Sequence, residues 1–258
     1  RVLKTQLCNL LWNACTLRDH AWRRRELSGK LAVIRSKVDN AVQQGWGPAT
    51  DSIFTTGPCA VLNIGTDVEM QLDWLREHDP DYVLTHPSNL QALARRALEL
   101  GVKLTRLRDA RTFGETLPAD LRLLCRDAWA VPVTDMYSAE ETGYIALQCP
   151  EHEHYHVQAE NLIVEILDDA GQQCAPGQIG RVVITTLHNF AMPLIRYDIG
   201  DYAEAGAPCA CGRGLPVIRR IMGRVRNMLT FPDGRRLWPS LPSSRWADVA
   251  PVRQYQMV

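Results

Sequence analysis

The sequence predicts an α/β protein in which a mostly parallel sheet is flanked by helices and followed by a small antiparallel β subdomain. Strand-like and helix-like segments alternate through the first half, which is typical of parallel sheets covered by helices. After Cys149 the pattern changes, because residues 162–167 and 180–186 are β-rich with no convincing helix between them. The stretch 168–177 that separates them has the composition of a turn, which favours antiparallel pairing.

Apolar residues recur at helical spacing in four segments of the first half, and short β-prone runs separate them. The predicted helices are residues 6–28, 67–78, 87–100 and 117–129. The predicted strands of this half are residues 31–34, 60–64, 82–85, 111–113 and 131–136. We therefore expect an α/β subdomain over residues 1–148, a β-rich subdomain over 149–222, and a third segment, 223–258, that is too short to fold alone.

The bulk composition limits the kind of partner. Lys plus Arg and Asp plus Glu both number 29, so the formal net charge is zero. Such a balance gives no reason to expect nucleic acid or an anionic membrane as a partner. We found no signal peptide and no apolar run long enough to span a bilayer, and therefore expect a cytoplasmic protein. A homodimer is expected only from the base rate of oligomers.

Four polar elements follow one another at predicted loop positions. They are Phe113-Gly114-Glu115, residues 137–143, residues 196–201 and Gly223-Arg224. Ligands of open α/β sheets bind outside the carboxyl ends of the strands, where the first two loops are expected. The activation of a carboxylate by ATP needs groups of these types: a carboxylate for Mg²⁺, an acidic group for ribose hydroxyls, and a cation for phosphate charge.

The order of these elements resembles the adenylate-forming superfamily of acyl-CoA synthetases and luciferases, and most closely the phenylacetate–CoA ligases. Tyr137-Ser138-Ala139-Glu140 is similar to a family loop. The resemblance implies that the Tyr137 ring lies near adenine, that the backbone of Ser138 or Ala139 faces the α-phosphate, and that Glu140 holds Mg²⁺. Ala139 departs from the family, which often has a hydroxyl there.

The remaining elements also have counterparts in that family. Gly114-Glu115 resembles an element that precedes the adenine pocket. The stretch 193–201 is similar to the ribose-binding segment, so Arg196 is implied in nucleotide binding and Asp201 as the acceptor for both ribose hydroxyls. The stretch 221–228 resembles the segment before the hinge, although Arg226-Asn227 replaces a usual acidic pair. The resemblance implies that Glu140 and Arg224 are catalytic and that Arg224 also contacts the cofactor.

Two family parts are not found in the sequence. The Gly-rich phosphate loop is missing, since Ser28-Gly29-Lys30 is short and lies before a strand, where it is interpreted as a turn. The C-terminal domain is represented only by its hinge and first residues, 223–258. We therefore expect a fragment of the large N-terminal domain that has little activity by itself.

The resemblance implies that the full-length parent is an ATP-dependent carboxylate–CoA ligase. Such an enzyme forms an acyl-adenylate and then an acyl-CoA thioester. It requires ATP, Mg²⁺, CoA and a small carboxylic acid, for which the family suggests an aromatic one. The alternative is a catalytically incomplete, zinc-stapled module that binds nucleotide or a partner protein. A phosphate loop encoded directly upstream of Arg1 would favour the enzyme.

Cysteine and histidine spacing predicts a structural zinc site. Cys149 and His152 have C-x₂-H spacing, and Cys209 and Cys211 add two thiolates, which completes a tetrahedral set. His154 or His156 could replace His152 as the fourth ligand, because both lie nearby in the sequence. The alternative is that these cysteines are reduced, unliganded thiols in surface loops.

Overall fold

A computed structural model of the protein describes residues 2–238, which contain a 12-stranded sheet with helices packed on it. The α-helices are α1 (Gln6–Trp22), α2 (Pro48–Asp51), α3 (Val68–His78), α4 (Pro87–Leu100) and α5 (Leu121–Trp129). The strands of the first half are β1 (Leu31–Arg35), β2 (Ala41–Gln43), β3 (Cys59–Asn63), β4 (Tyr82–Thr85), β5 (Asp109–Phe113) and β6 (Val133–Ala139). The later strands are β7 (Gly143–Gln148), β8 (Tyr155–Val157), β9 (Leu162–Leu167), β10 (Ile179–Thr186), β11 (Tyr197–Ala205), β12 (Val217–Arg224), β13 (Leu229–Thr230) and β14 (Arg236–Leu237).

The first half of the sheet is parallel, as predicted. Strands β3, β1, β4, β5 and β6 pair in parallel in that spatial order, and β2 adds an antiparallel edge. Alternate residues of β1 enter two different apolar cores: Ala32 and Ile34 pack in one, Leu31 and Val33 in the other. Because successive side chains of a strand point to opposite faces, both faces of this sheet are covered. The α/β fold class is confirmed.

The second half is antiparallel, which confirms the small antiparallel β part of the prediction. Strands β7, β8, β12, β11, β10 and β9 follow β6 in spatial order, and each pairs antiparallel with its neighbours. They are hydrogen-bonded to the parallel strands as one sheet. They enclose an apolar core of their own, which includes Ile145, Val182, Ile184 and Ile218.

Helix α1 ends at Trp22, earlier than the predicted residue 28, because the chain turns to bury Arg25. Its guanidinium lies 2.7 Å from the carboxylates of both Asp19 and Asp109, and Arg111 also contacts Asp19 at 2.7 Å. These four residues form the buried charge network. Buried charges are found almost only when paired in this way. Polar residues at helical positions therefore face the sheet, which apolar periodicity alone cannot show.

The prediction of a loop over residues 196–201 was wrong. Strand β11 begins at Tyr197 and pairs with β10 on one side and β12 on the other. The strand β6 also runs beyond the predicted end at Met136, as far as Ala139. Both segments have a loop-like composition, which is why the sequence did not predict a strand there. Each is nevertheless a strand, because hydrogen bonds to neighbouring strands satisfy its backbone whatever the side chains are.

The domain boundaries remain predictions, and residues 239–258 of the predicted hinge segment lie outside the described residues. The Ser28-Gly29-Lys30 stretch is a turn before β1, as predicted. No helix within residues 2–238 combines the length and the apolar composition needed to cross a bilayer.

Candidate nucleotide site and metal centre

A cavity of about 430 Å³ lies where the end of β6 meets the turn after β5 and the strands β11 and β12. Its wall brings together several site residues that are distant in sequence. Those predicted from the sequence are Gly114, Glu115, Tyr137, Ser138, Asp201 and Arg224. The motif order therefore predicted a real juxtaposition, although the elements that carry the residues include strands.

Tyr137, Asp201 and Arg224 form a connected group on this wall. The Tyr137 hydroxyl donates to Asp201 Oδ2 at 2.7 Å, and Arg224 Nε lies 3.0 Å from Asp201 Oδ1. Asp201 and Arg224 are register partners on β11 and β12, which fixes their separation. Burial raises the pKa of Asp201, and burial together with the Asp201 charge raises the pKa of Tyr137 well above its usual value. Tyr137 therefore remains a neutral hydrogen-bond donor.

Two glycines let the backbone approach the cavity. Gly114 has φ +80°, and a β-carbon there would lie 3.2 Å from the His86 ring. Gly223 has φ +120°, and a β-carbon would lie 3.1 Å from Thr116 Oγ1. Both conformations favour glycine over residues with a side chain. These glycines are therefore part of the shape of the cavity.

Glu115 has a second task besides lining the cavity. Its carboxylate accepts hydrogen bonds from the Ser88 amide at 2.9 Å and from the Ser88 hydroxyl at 3.0 Å. Ser88 lies in the first turn of α4, where backbone amides lack helical partners and negative charge is favourable. Glu115 therefore ties the turn after β5 to the start of α4.

Within residues 2–238, the structure does not bring Glu140, Ala139 or Arg196 to the cavity wall. Glu140 is exposed in the turn between β6 and β7, and Ala139 packs against the core of the antiparallel part. Arg196 forms an exposed ion pair with Glu165 at 3.1 Å. For these residues the structure gives positions only, so their predicted roles stay predictions.

Asp135 is a cavity residue that the sequence analysis missed. It is 4% exposed and lines the same wall as Tyr137. Its Oδ1 accepts from the Thr112 hydroxyl at 2.6 Å and its Oδ2 from the Tyr155 hydroxyl at 2.7 Å. Burial raises the pKa of Asp135 to about 6. A carboxylate inside the predicted strand, between Val133 and Met136, was the available signal, because unpaired acidic residues are rarely buried.

The cysteine and histidine residues singled out in the sequence converge at one place. One set of four donors is Cys149, His156, Cys209 and Cys211, and an overlapping set is Cys149, His152, His154 and Cys209. Within each set all donor atoms lie within 4.8 Å of one another, and all the cysteines are free thiols. The predicted set shares three ligands with the first of these and differs in using His152 in place of His156.

Helix α1 holds this cluster from one side. The Arg23 guanidinium donates to the carbonyls of Gln148 and Cys149 at 3.2 and 2.9 Å. The Trp22 ring meets the His156 ring edge-on, with 5.7 Å between the centroids. These contacts fix the backbone at Cys149 and the plane of His156 without using the donor atoms.

Comparison with known proteins identifies what the chain resembles. No family model matches it. It is 29% identical over 212 residues to a phenylacetate–coenzyme A ligase of Thermus thermophilus, which covers 76% of this chain and 47% of that protein. It is 26% identical over 178 residues to a phenylacetate–coenzyme A ligase of Pseudomonas putida, covering 66% of this chain and 40% of that protein. The chain spans less than half the length of these curated relatives.

Solved structures show the same fold. A 2-hydroxyisobutyryl-CoA ligase in the postadenylation state, in complex with R3-HIB-AMP, matches 89% of this chain and 51% of its own, with a TM-score of 0.70 and 20% identity. An anthranilate CoA ligase in complex with anthranoyl-AMP matches 93% of this chain and 47% of its own, with a TM-score of 0.68 and 17% identity. The resemblance that the motifs indicated is therefore confirmed: the chain is similar to phenylacetate–CoA ligases and has the fold of adenylate-forming CoA ligases.

Proposed function

We propose that the chain is the nucleotide-binding part of an ATP-dependent carboxylate–CoA ligase. The single observation that carries this proposal is the cavity in which Tyr137, Asp201, Arg224 and the buried Asp135 meet. These side chains offer a ring for stacking, two buried acceptors and a cation, which together suit a nucleotide. The similarity to phenylacetate–CoA ligases supports the same assignment.

Each cavity residue has a proposed role. The Tyr137 ring stacks near adenine, and Asp135 accepts from the exocyclic amino group of adenine. Asp201 accepts from the ribose hydroxyls through the lone pairs that Tyr137 and Arg224 leave free, since a carboxylate has about four acceptor positions. Arg224 stabilises negative charge on phosphate. Gly114, Glu115 and the Ser138 and Ala139 backbone shape the pocket around the base and the α-phosphate.

Glu140 and Arg196 lie outside the cavity wall. The Glu140 carboxylate is exposed at the end of β6, and a hard oxygen donor of this kind fits Mg²⁺. When bound, Mg²⁺ neutralises charge on the phosphates. Arg196 would have to leave its ion pair with Glu165 to reach a nucleotide. Exposed ion pairs of this type are weak, so such a movement costs little.

The proposed reaction has two steps. A carboxylate oxygen attacks the α-phosphorus of ATP, the bond to pyrophosphate breaks, and an acyl-adenylate forms. The sulfur of CoA then attacks the acyl carbon, a thioester forms, and AMP leaves. The cavity would contribute by orienting the α-phosphate and by stabilising its charge. An aromatic carboxylic acid is the substrate class that the relatives' names favour.

Binding of ATP tests the proposal directly. Calorimetry should show that Asp201→Ala weakens ATP binding by about 1.5–3 kcal/mol, the usual value of a hydrogen bond to a charged group. Asp198→Ala is the matched control, because Asp198 lies on the same strand but pairs with Arg181 at the surface. Equal affinities for the two variants would contradict the assignment of Asp201.

We also propose that the cysteine–histidine cluster binds structural zinc through Cys149, His156, Cys209 and Cys211. The fit rests on the donors: three thiols and one imidazole, close together, form the closed tetrahedral set of structural sites. His156 is favoured over His152 because it is fully buried and its donor atom lies within 4.8 Å of all three thiols. His152 approaches two of them, Cys149 at 3.5 Å and Cys209 at 3.6 Å. His152 and His154 would then lie beside the ion rather than bind it.

Metal analysis tests this second proposal. Protein purified without chelator should contain about one zinc per chain, and its removal should lower the melting temperature. Cys211→Ser should lose the metal, whereas Cys8→Ser, at the other end of α1 from the cluster, should keep it. His156→Ala should lose more zinc than His152→Ala. Metal-free protein whose melting does not respond to zinc would contradict the site.

A second candidate function is a zinc-stapled module that binds nucleotide without chemistry. It is favoured by the positions of Glu140 and Arg196 outside the cavity wall. Release of pyrophosphate from ATP and a carboxylic acid by the full-length protein would distinguish the enzyme from this module. A homodimer and a cytoplasmic location stay predictions.

A further inference from the structure

Strand β8 separates the metal cluster from the nucleotide cavity. Its residue His156 contributes to the cluster, and its neighbour Tyr155 extends to the opposite side, where its hydroxyl donates to Asp135 at 2.7 Å. Successive side chains of a strand alternate between faces, so any displacement of β8 moves both residues together. The two sites are therefore connected by two consecutive residues.

A metal in the cluster would add a restraint on β8. The strand has three residues. It pairs with β7 through all three of them and with β12 through Tyr155 and His156. Cys149 comes from the turn that enters β8, and Cys209 and Cys211 come from the loop that precedes β12. A metal bound by these thiols and His156 would fasten β8 to that loop. Without the metal, the ladders to β7 and β12 and the packing of its buried side chains would still hold the strand, but no ligand bond would tie it to the loop before β12.

Tyr155 in turn fixes the carboxylate of Asp135. Thr112 and Tyr155 each donate to a different oxygen, so both the position and the rotation of the carboxylate are determined. The Asp135 amide adds a third restraint by donating to Gln148 Oε1 at 2.9 Å. Loss of the Tyr155 hydroxyl would leave the carboxylate held at one oxygen only. An acceptor that must meet one group of a ligand works best when it is held in place.

We infer that Tyr155 is a positioning residue that makes recognition of the adenine amino group depend on the metal cluster. This inference rests on the proposed function, because it assumes that the cavity binds an adenine nucleotide. It assigns the metal a role beyond stability: the ion keeps Asp135 in register with the base while remaining outside the cavity.

The test compares AMP with purine riboside 5′-monophosphate, which lacks only the amino group. Calorimetry gives the affinity for AMP divided by the affinity for the analogue. This ratio is measured for metal-loaded protein and for protein stripped by chelator. Tyr155→Phe should lower the ratio about three- to tenfold, the effect of one hydrogen bond. Metal removal should lower the ratio similarly in the wild type and cause no further decrease in Tyr155→Phe.

Tyr144→Phe is the matched control. Tyr144 is equally buried, but its hydroxyl contacts Thr16 and lies outside the cavity wall. Its ratio should remain that of the wild type. Equal ratios for Tyr155→Phe and Tyr144→Phe in metal-loaded protein would overturn the inference, even if stripped protein unfolds. A metal effect that persists in Tyr155→Phe would also overturn it. Failure to bind AMP at all would instead overturn the proposed function on which it rests.

Discussion

Asp135 is expected to destabilise the folded protein as the pH rises from about 4 to about 6. Burial raises the pKa of this carboxyl from an ordinary 3.8 to about 6. In that pH range the folded state therefore holds a proton that the unfolded state has lost. The stability that protonation provides disappears as the pH rises through the folded pKa. A pKa difference of this size corresponds to about 3 kcal/mol, which is fully lost at pH 7.

The substitution Asp135→Asn removes the charge while keeping the shape of the side chain. At any one pH two effects oppose each other. The variant has no buried charge, which stabilises it, but its single amide oxygen cannot replace both carboxylate oxygens as acceptors for Thr112 and Tyr155, which destabilises it. A buried hydroxyl left without an acceptor costs about 1–3 kcal/mol. The decisive quantity is therefore the difference in free energy of unfolding between variant and wild type. It should rise by about 2.4 kcal/mol in favour of the variant from pH 4 to pH 7, because at pH 4 the unfolded carboxyl is already partly ionised.

Urea unfolding of both proteins between pH 4 and pH 7.5 measures that difference. The buried His20 also affects stability in this range. Burial lowers the pKa of His20 to about 2 in the folded state, whereas in the unfolded state it binds a proton near its ordinary value of 6.5. The free energy of unfolding therefore decreases as the pH falls below 6.5. His20 is the same in both proteins, and its contribution cancels in the difference. If the free energies of unfolding of variant and wild type change in parallel across this pH range, the raised pKa of Asp135 is refuted.

Two further predictions concern stability and cavity shape. Arg25→Met leaves Asp109 without its cation and Asp19 with Arg111 alone, so urea unfolding should show a loss of about 3–5 kcal/mol in the free energy of unfolding. Arg76→Met breaks only an exposed pair and should change that free energy by less than about 0.5 kcal/mol. Gly223→Ala adds a β-carbon at a position with φ +120° and close to Thr116. It should lower the free energy of unfolding by about 1–3 kcal/mol and weaken ATP binding. Wild-type melting and affinity for Gly223→Ala would contradict the conformation assigned to this cavity wall.

The sequence predicted the α/β fold and most of its helices and strands because apolar periodicity reports which faces are buried. It also predicted that Tyr137, Asp201 and Arg224 belong together, since motif order carries that information. It could not show that Asp201 lies on a strand, because the ladder on both sides of β11 compensates for a loop-like sequence. Strand pairing is a long-range property that local composition does not record.

Two other features needed coordinates. The carboxylate of Asp135 was overlooked because its partners, Thr112 and Tyr155, lie on other strands. Spacing predicted a cysteine–histidine metal site but could not choose among three histidines, all of which lie within a few residues of Cys149. That choice depends on which imidazole lies within reach of all three thiols. His156 is grouped with Cys149, Cys209 and Cys211, whereas His152 approaches Cys149 and Cys209.

The measurement that tests the proposed nucleotide site most directly is photolabelling with 8-azido-AMP, followed by identification of the labelled peptide by mass spectrometry. The label should fall on the segments that form the cavity wall, residues 114–116, 135–138 or 221–227, and excess ATP should compete for it. Asp201→Ala should reduce the labelling, and Asp198→Ala should not. Specific, ATP-sensitive labelling confined to another surface, such as the pocket beside Trp12 and Tyr144, would contradict the assignment of this cavity.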